Sequence, residues 1–218
     1  MPETDAETSS LKEDHRLLCS AIRDAGHVVL SRYRGRPVRS WKKRDLSPVC
    51  EADLESNALL KERLLGARPH YGWLSEECVD DERRLTTPRT FVIDPIDGTR
   101  AFLEASPEFT VCGAIVENGR AISAVIFNPV TDEFFDATLN GGARCNGDPV
   151  TANSTSSLAG ARMLGFQHMF DHPGWPSPWP RMKIGYRNST AYRFCLIAKG
   201  VYDAALALVP KSDWDAAP

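Results

Sequence analysis

The spacing of apolar residues in the first third of the chain predicts two amphipathic helices. A capping box, Ser10-x-x-Glu13, precedes apolar residues that recur at helical intervals, so we expect a helix over residues 10–33. A second periodic stretch carries Leu54 and Leu60 and is expected to end at Gly66. A polar, basic segment at 41–48 separates the two helices.

After these helices the pattern changes to the alternation typical of β-strands. Five strands are predicted: Tyr71–Ser75, Thr90–Asp94, Phe109–Val116, Ala121–Phe127 and Glu133–Thr138. Asn118-Gly119 between two of them is a hairpin signal, so we expect an antiparallel meander behind the helical pair.

The pattern changes again after about residue 155. It predicts a strand near Met163, a loop rich in Pro and Trp, a helix over Ala191–Lys199 and a strand over Tyr202–Val209. We therefore expect an α+β domain that carries the chemistry at 1–155 and a short α/β domain at 156–218.

Composition and charge narrow the class of protein. Of 218 residues, 42% are hydrophobic and the net charge is −3, which fits a globular chain and provides no basic field to hold a nucleic acid polymer. We find no signal peptide and no stretch long enough to span a membrane. The six cysteines form no CxxC pair, so we interpret them as free thiols of a cytoplasmic protein.

One segment carries most of the chemical information. An apolar strand runs into Asp94-Pro95-Ile96-Asp97-Gly98-Thr99, which places two carboxylates beside the expected start of a helix. Carboxylates alone would repel a phosphate, and Mg²⁺ resolves that conflict because it binds both groups. Alternatively, Asp97 is an ordinary helix cap and Asp94 a turn former. Further acids follow other strands, at Glu76-Glu77 and at Asp215, and this favours a metal site.

The motifs together resemble the inositol monophosphatase superfamily of metal-dependent phosphatases. They are Leu74-Ser-Glu-Glu77, Asp94-Pro-Ile-Asp-Gly-Thr99 and Trp214-Asp-Ala-Ala217, with Ser47–Asp53 ahead of the second helix. The resemblance covers essentially the whole chain. It implies the layered αβαβα sandwich of the sugar phosphatase type and two or three Mg²⁺ ions in each site.

The resemblance also implies a role for individual residues. Glu76, Asp94 and the Ile96 carbonyl would hold one ion, and Asp94, Asp97 and Asp215 a second. Asp53 and Thr99 would orient the attacking water, and Glu77 would assist a third ion. The remaining implied contacts are with substrate: Asp97, Gly98, Thr99, Asn188 and Ser189. Lys43, Arg100 and Lys211 are further candidates, each of which could equally be an ordinary surface cation.

Substrate choice is less sharply implied. Leu208 stands where inositol phosphatases have an acid that binds a ring hydroxyl, and a leucine accepts no hydroxyl proton. Arg193–Gly200 and the motifs above are closer to the 3'(2'),5'-bisphosphate nucleotidase branch. That branch removes the 3'-phosphate of 3'-phosphoadenosine 5'-phosphate, a by-product of sulfate assimilation. Inhibition by Li⁺ and a possible homodimer are implied as well.

Two alternatives stay open. The first is an inositol monophosphatase or another phosphatase of small sugar phosphates. The second follows from Pro218, three residues after Asp215, because members of the family continue with a long helix and a further strand. This difference predicts a truncated second domain and, as an alternative function, a catalytically weak or silent remnant that binds metal or phosphate.

Overall fold

A computed structural model describes residues 2–34, 38–44 and 46–218, with side chains from Ser10 onward. The described α-helices are α1 (Pro2–Arg32), α2 (Glu51–Ala67), α3 (Thr99–Leu103), α4 (Gln167–Phe170), α5 (Thr190–Ala198) and α6 (Asp213–Ala216), and a 3-10 helix covers Glu82–Thr86. The described strands are β1 (Ser40–Lys42), β2 (Pro48–Cys50), β3 (Gly72–Ser75), β4 (Thr90–Asp97), β5 (Thr110–Glu117), β6 (Arg120–Asn128), β7 (Glu133–Thr138), β8 (Gly142–Cys145), β9 (Asp148–Pro149), β10 (Arg162–Leu164), β11 (Lys183–Gly185) and β12 (Ala204–Ala205).

A seven-stranded sheet, β3 to β9 in chain order, forms the centre of the molecule. Strand β3 pairs with β4 in parallel, and every later pair in this sheet is antiparallel. The predicted meander is therefore present and continues into β8 and β9, which the sequence did not predict. The parallel β3–β4 pair brings the ends of both strands to the same edge, where acidic residues follow them.

Helices cover both faces of this sheet. Phe91, Ile93 and Phe127 point to one face and are fully or nearly fully buried against α1 and α2. Cys112 and Ile126 point to the other face and pack against α5, as the two-residue period of a strand requires. Each face thus buries its own cluster of apolar side chains.

A parallel three-stranded sheet, in the order β11–β10–β12, lies on the far side of α5. Its outer face is covered by the single-turn helix α4 and the Pro/Trp loop, where Phe170 packs edge-on against Trp179 at 5.3 Å between ring centroids. The predicted layers are thus present, and the outermost consists of one helical turn and a loop. The predicted domain boundary near residue 155 falls in a stretch without helix or strand and stays a prediction.

Several predicted boundaries were wrong. The strands β1 and β2 overlap the two ends of the segment at 41–48, and they were too short to predict. The strand expected over Tyr202–Val209 shrinks to Ala204–Ala205, because its partner β10 has only three residues. Among the described helices, none is both long and apolar enough to cross a membrane.

Candidate active site

Asp94 and Asp97 line one cleft because of an irregularity in β4. In a regular strand, residues three apart point to opposite faces. Pairing with β5 shifts here, from Asp94 opposite Cys112 to Asp97 opposite Thr110, so β4 carries one extra residue at Pro95–Ile96. Such a bulge re-aims the side chains beyond it. The strand was predicted to end at Asp94; pairing is interrupted at Pro95–Ile96 and resumes at Asp97.

Asp215, at the start of α6, completes a cluster of three carboxylates. One oxygen from each of Asp94, Asp97 and Asp215 lies within 4.8 Å of the others. Asp94 and Asp97 are 1% and 6% exposed. Burial, followed by the negative charges of Glu76 and Asp97, raises the pKa of Asp94 well above its usual value. The ionised form of Asp94 is therefore disfavoured unless a cation binds nearby.

The oxygens at this edge fit a hard divalent cation. Carboxylate and carbonyl oxygens are the ligands that Mg²⁺ takes, together with substrate phosphate. The elevated pKa values express the cost of holding several carboxylates in a dry site, which a bound cation would offset. Asp94, Asp97 and Asp215 meet this requirement as they stand.

Asp97 is fixed by residues from the distant helix α5. Its Oδ2 accepts hydrogen bonds from Ser189 Oγ at 2.6 Å and from the Ala191 backbone N–H at 2.7 Å. Burial raises the pKa of Asp97 to about 6, although these two donors oppose the shift. Ser189 is fully buried and lies 2.9 Å from Thr110 Oγ1. Its hydroxyl thus supports Asp97, whereas the sequence predicted a contact with substrate.

Asp53 and Thr99 form a buried pair behind the cluster. Thr99 Oγ1 lies 3.0 Å from Asp53 Oδ1 and 3.1 Å from the Ile96 carbonyl oxygen. The other Asp53 oxygen accepts from the backbone N–H and the thiol of Cys50, both at 2.8 Å. Burial raises the pKa of the Cys50 thiol to about 12, so it remains a donor. Asp53 therefore caps α2 and aligns the Thr99 hydroxyl at once.

Gly98 occupies a position that only glycine fills without strain. Its φ is 96°, in the left-handed region, and a Cβ there would lie 3.0 Å from the Glu108 carbonyl oxygen. The backbone can therefore turn sharply from the end of β4 into α3. This turn places Thr99 next to Asp97 in the cleft.

Lys43 pairs with the two glutamates that follow β3. Its Nζ donates to Glu76 Oε1 and to Glu77 Oε1, both at 2.7 Å. Burial disfavours the charged ammonium, but the two carboxylates outweigh this effect and raise the pKa of Lys43. Burial raises the pKa of Glu77 to about 7 despite the hydrogen bond from Lys43. Lys43 is thus paired with two of the predicted site acids.

An open cleft of about 510 Å³ runs along these residues. The predicted site residues that line it are Glu76, Asp94, Ile96, Asp97, Gly98, Thr99, Arg100, Asn188, Lys211 and Asp215. Lys211 also donates to Thr190 Oγ1 at 2.9 Å. Phe166, Met169 and Val209, which the sequence did not predict, also line the cleft, as does Tyr186.

Comparison with known proteins agrees with this geometry. The model of the inositol monophosphatase family matches residues 10–218. An inositol-1-monophosphatase of Rhizobium meliloti is 34% identical over 113 residues, which cover 52% of this chain and 42% of that protein. The 3'(2'),5'-bisphosphate nucleotidase CysQ of Salmonella typhimurium is 28% identical, over 92% of this chain and 82% of the relative.

A solved structure shows the same fold. The extragenic suppressor protein suhB of Bartonella henselae superposes with a TM-score of 0.79 at 24% identity, over 93% of this chain and 80% of that one. The match to the Rhizobium protein spans under half of that relative's length, and the truncation expected from the family resemblance stays a prediction.

Proposed function

Because the chain belongs to the inositol monophosphatase family, we propose that it is a Mg²⁺-dependent phosphate monoester hydrolase acting on the 3'-phosphate of 3'-phosphoadenosine 5'-phosphate. The observation that carries the proposal is the meeting of Asp94, Asp97 and Asp215 within 4.8 Å at the cleft that Thr99 lines. Metal-dependent hydrolysis of a phosphate monoester needs ligands for cations and groups that orient water, and residues of both kinds line this cleft.

In this proposal, different residues of the chain bind the cations, orient the water and hold the phosphate. When bound, divalent cations supply positive charge that neutralises the phosphate and acidifies a water molecule. The Thr99 hydroxyl has one proton, and donating it to Asp53 leaves its oxygen lone pairs free to accept from the attacking water. The N–H groups of Gly98 and Thr99, by resemblance to the family, bind the phosphate oxygens. The two donors from α5 favour the ionised form of Asp97, the form that would bind a cation.

The choice of nucleotide over inositol has its own support. Ala207 and Val209 line the cleft on either side of Leu208, and neither side chain can accept the proton of a ring hydroxyl. Arg100 and Lys211 also line it and could meet a second phosphate. The Salmonella relative is named as a 3'(2'),5'-bisphosphate nucleotidase. The proposal further implies inhibition by Li⁺.

The test measures phosphate release by the purified protein with Mg²⁺. The substrates are 3'-phosphoadenosine 5'-phosphate, inositol 1-phosphate and fructose 1,6-bisphosphate. We expect the nucleotide to have the highest kcat/KM, and Asp97→Asn to lower it at least ~10³-fold because a neutral amide binds cations poorly. Asp148→Asn is the matched control, since Asp148 is exposed on β9.

Each outcome has a clear meaning. A higher kcat/KM for inositol 1-phosphate would replace the nucleotide assignment by an inositol phosphatase. Release from no substrate, with Mg²⁺ still raising the melting temperature, would indicate the silent metal-binding remnant.

A further inference from the structure

Thr110 lies beside Asp97 in the central sheet. The two residues are paired across β4 and β5, so their side chains are neighbours on one face of the sheet. Cys112, two residues further along β5, lies on the same face and is paired with Asp94. Thr110 and Cys112 are both fully buried. Two side chains that form hydrogen bonds thus lie next to the carboxylates of β4.

A chain of hydrogen bonds joins these side chains to Asp97. Thr110 Oγ1 lies 3.1 Å from Cys112 Sγ and 2.9 Å from Ser189 Oγ. Ser189 Oγ in turn donates to Asp97 Oδ2 at 2.6 Å. All four side chains are buried, where hydrogen bonds are stronger than in water. The chain therefore connects Asp97 to the interior of β5.

The direction of each hydrogen bond follows from the protons available. The ionised Asp97 carboxylate that would bind a cation can only accept, so the single proton of Ser189 goes to it. The Ser189 oxygen accepts from the Tyr192 N–H at 2.9 Å and has a lone pair left for one more donor. The Thr110 hydroxyl is that donor, and its own oxygen accepts from the thiol of Cys112.

The Thr110 hydroxyl therefore affects how firmly Asp97 is held. Without it, one buried lone pair of Ser189 would have no donor, which costs free energy. Hydrogen bonds in a chain polarise one another, so the bond from Ser189 to Asp97 would weaken as well. The Asp97 carboxylate would then be held less firmly where it meets Asp94 and Asp215.

We infer that Thr110 is a positioning residue that holds Asp97 ready for a cation by acting through Ser189. The inference rests on the proposed function, because it takes Asp97 as a ligand of the cation. Thr110 is fully buried, so it acts through its hydrogen bond and not by touching substrate. Its hydroxyl should accordingly contribute to the affinity of the protein for Mg²⁺.

The experiment measures Mg²⁺ binding by isothermal titration calorimetry, together with the melting temperature in EDTA. We expect Thr110→Val, which lacks the hydroxyl at nearly the same volume, to raise the Kd for Mg²⁺ about fivefold, as the loss of one hydrogen bond would. Thr110→Ser keeps the hydroxyl and should restore the wild-type Kd. Thr90→Val is the matched control, because Thr90 is buried at the other end of β4, where its hydroxyl donates to the Arg84 carbonyl oxygen at 3.3 Å. This control should lower the melting temperature and leave the Kd unchanged.

An unchanged Kd in Thr110→Val would overturn the inference, and so would an equal rise in Thr90→Val or a Kd that Thr110→Ser does not restore. If Thr110→Val does not fold, Thr110→Ala is measured in its place, with the same expected rise in Kd. The proposed function is judged separately by phosphate release. Wild-type protein that binds Mg²⁺ but hydrolyses no ester contradicts the proposed function alone, and wild-type protein that binds no Mg²⁺ overturns both.

Discussion

The substitution Lys43→Met tests whether Lys43 and a bound Mg²⁺ neutralise the same carboxylates, those of Glu76 and Glu77. The Lys43 ammonium is the shared partner of Glu76 and Glu77, and Lys43→Met removes the charge while keeping most of the apolar stem. Without metal, the two carboxylates would then face each other with no shared cation. With Mg²⁺ present, the ion supplies the missing charge. We therefore expect the substitution to destabilise the metal-free protein far more than the metal-loaded one.

The size of the effect follows from the burial of the three side chains. Lys43 and Glu76 are each 22% exposed and Glu77 is 5% exposed. Fully exposed pairs contribute about 0–1 kcal/mol, and breaking a buried pair costs about 3–5 kcal/mol. For this intermediate case we expect about 2 kcal/mol. In a chain of this length that lowers the melting temperature by about 6 °C.

The assay is thermal unfolding followed by circular dichroism, once in EDTA and once in saturating Mg²⁺. Lys42→Met is the matched control, because Lys42 is exposed on β1, and it should leave both melting temperatures unchanged. An equal loss in EDTA and in Mg²⁺ would refute the reasoning, since Lys43 would then stabilise the fold without regard to the metal site.

Two further predictions concern the fold and the pH. Asp14 is fully buried and accepts from Arg68 and Arg89 at 2.7 and 2.6 Å, so Asp14→Ala should cost about 3–5 kcal/mol in urea unfolding, and a loss no larger than that of the exposed Glu13→Ala would contradict this. Burial raises the pKa of Glu77 from 4.5 to about 7 and that of Asp97 from 3.8 to about 6. Their protonated forms therefore stabilise the metal-free protein fully below about pH 4, and this stability is lost as the pH rises through about 7. Its melting temperature in EDTA should fall between about pH 4 and pH 7, and a flat or rising profile would count against the raised pKa values.

The sequence predicted elements well where local patterning decides the structure. The strand Glu133–Thr138 has the predicted bounds, because its alternating side chains separate two buried faces. Strands β1 and β2 have three residues each, and so short a stretch contains no period to detect. The shortened strand at Ala204 depends on the length of its partner β10, which no local pattern encodes.

In the candidate site, too, local sequence patterns predict some features, and the packing of distant elements determines the others. Asp94 and Asp97 could be predicted because a strand end followed by acids and glycine is visible in the sequence. The contact of Lys43 with Glu76 joins residues 33 positions apart, and that of Ser189 with Asp97 joins residues 92 apart. Such pairs are set by the packing of whole elements. The rings of Phe166 and Tyr186, which stack with their centroids 4.0 Å apart, are another such pair.

The hydrogen bonds from Ser189 and Ala191 to Asp97 have a consequence for the order of folding. Closing a loop of more than 90 residues costs more chain entropy than pairing neighbouring antiparallel strands. The central sheet can therefore form while Asp97 still lacks its partners from α5. During synthesis the chain must extend beyond α5 before Ser189 can reach Asp97. In refolding, catalytic competence should accordingly lag behind the burial of the core.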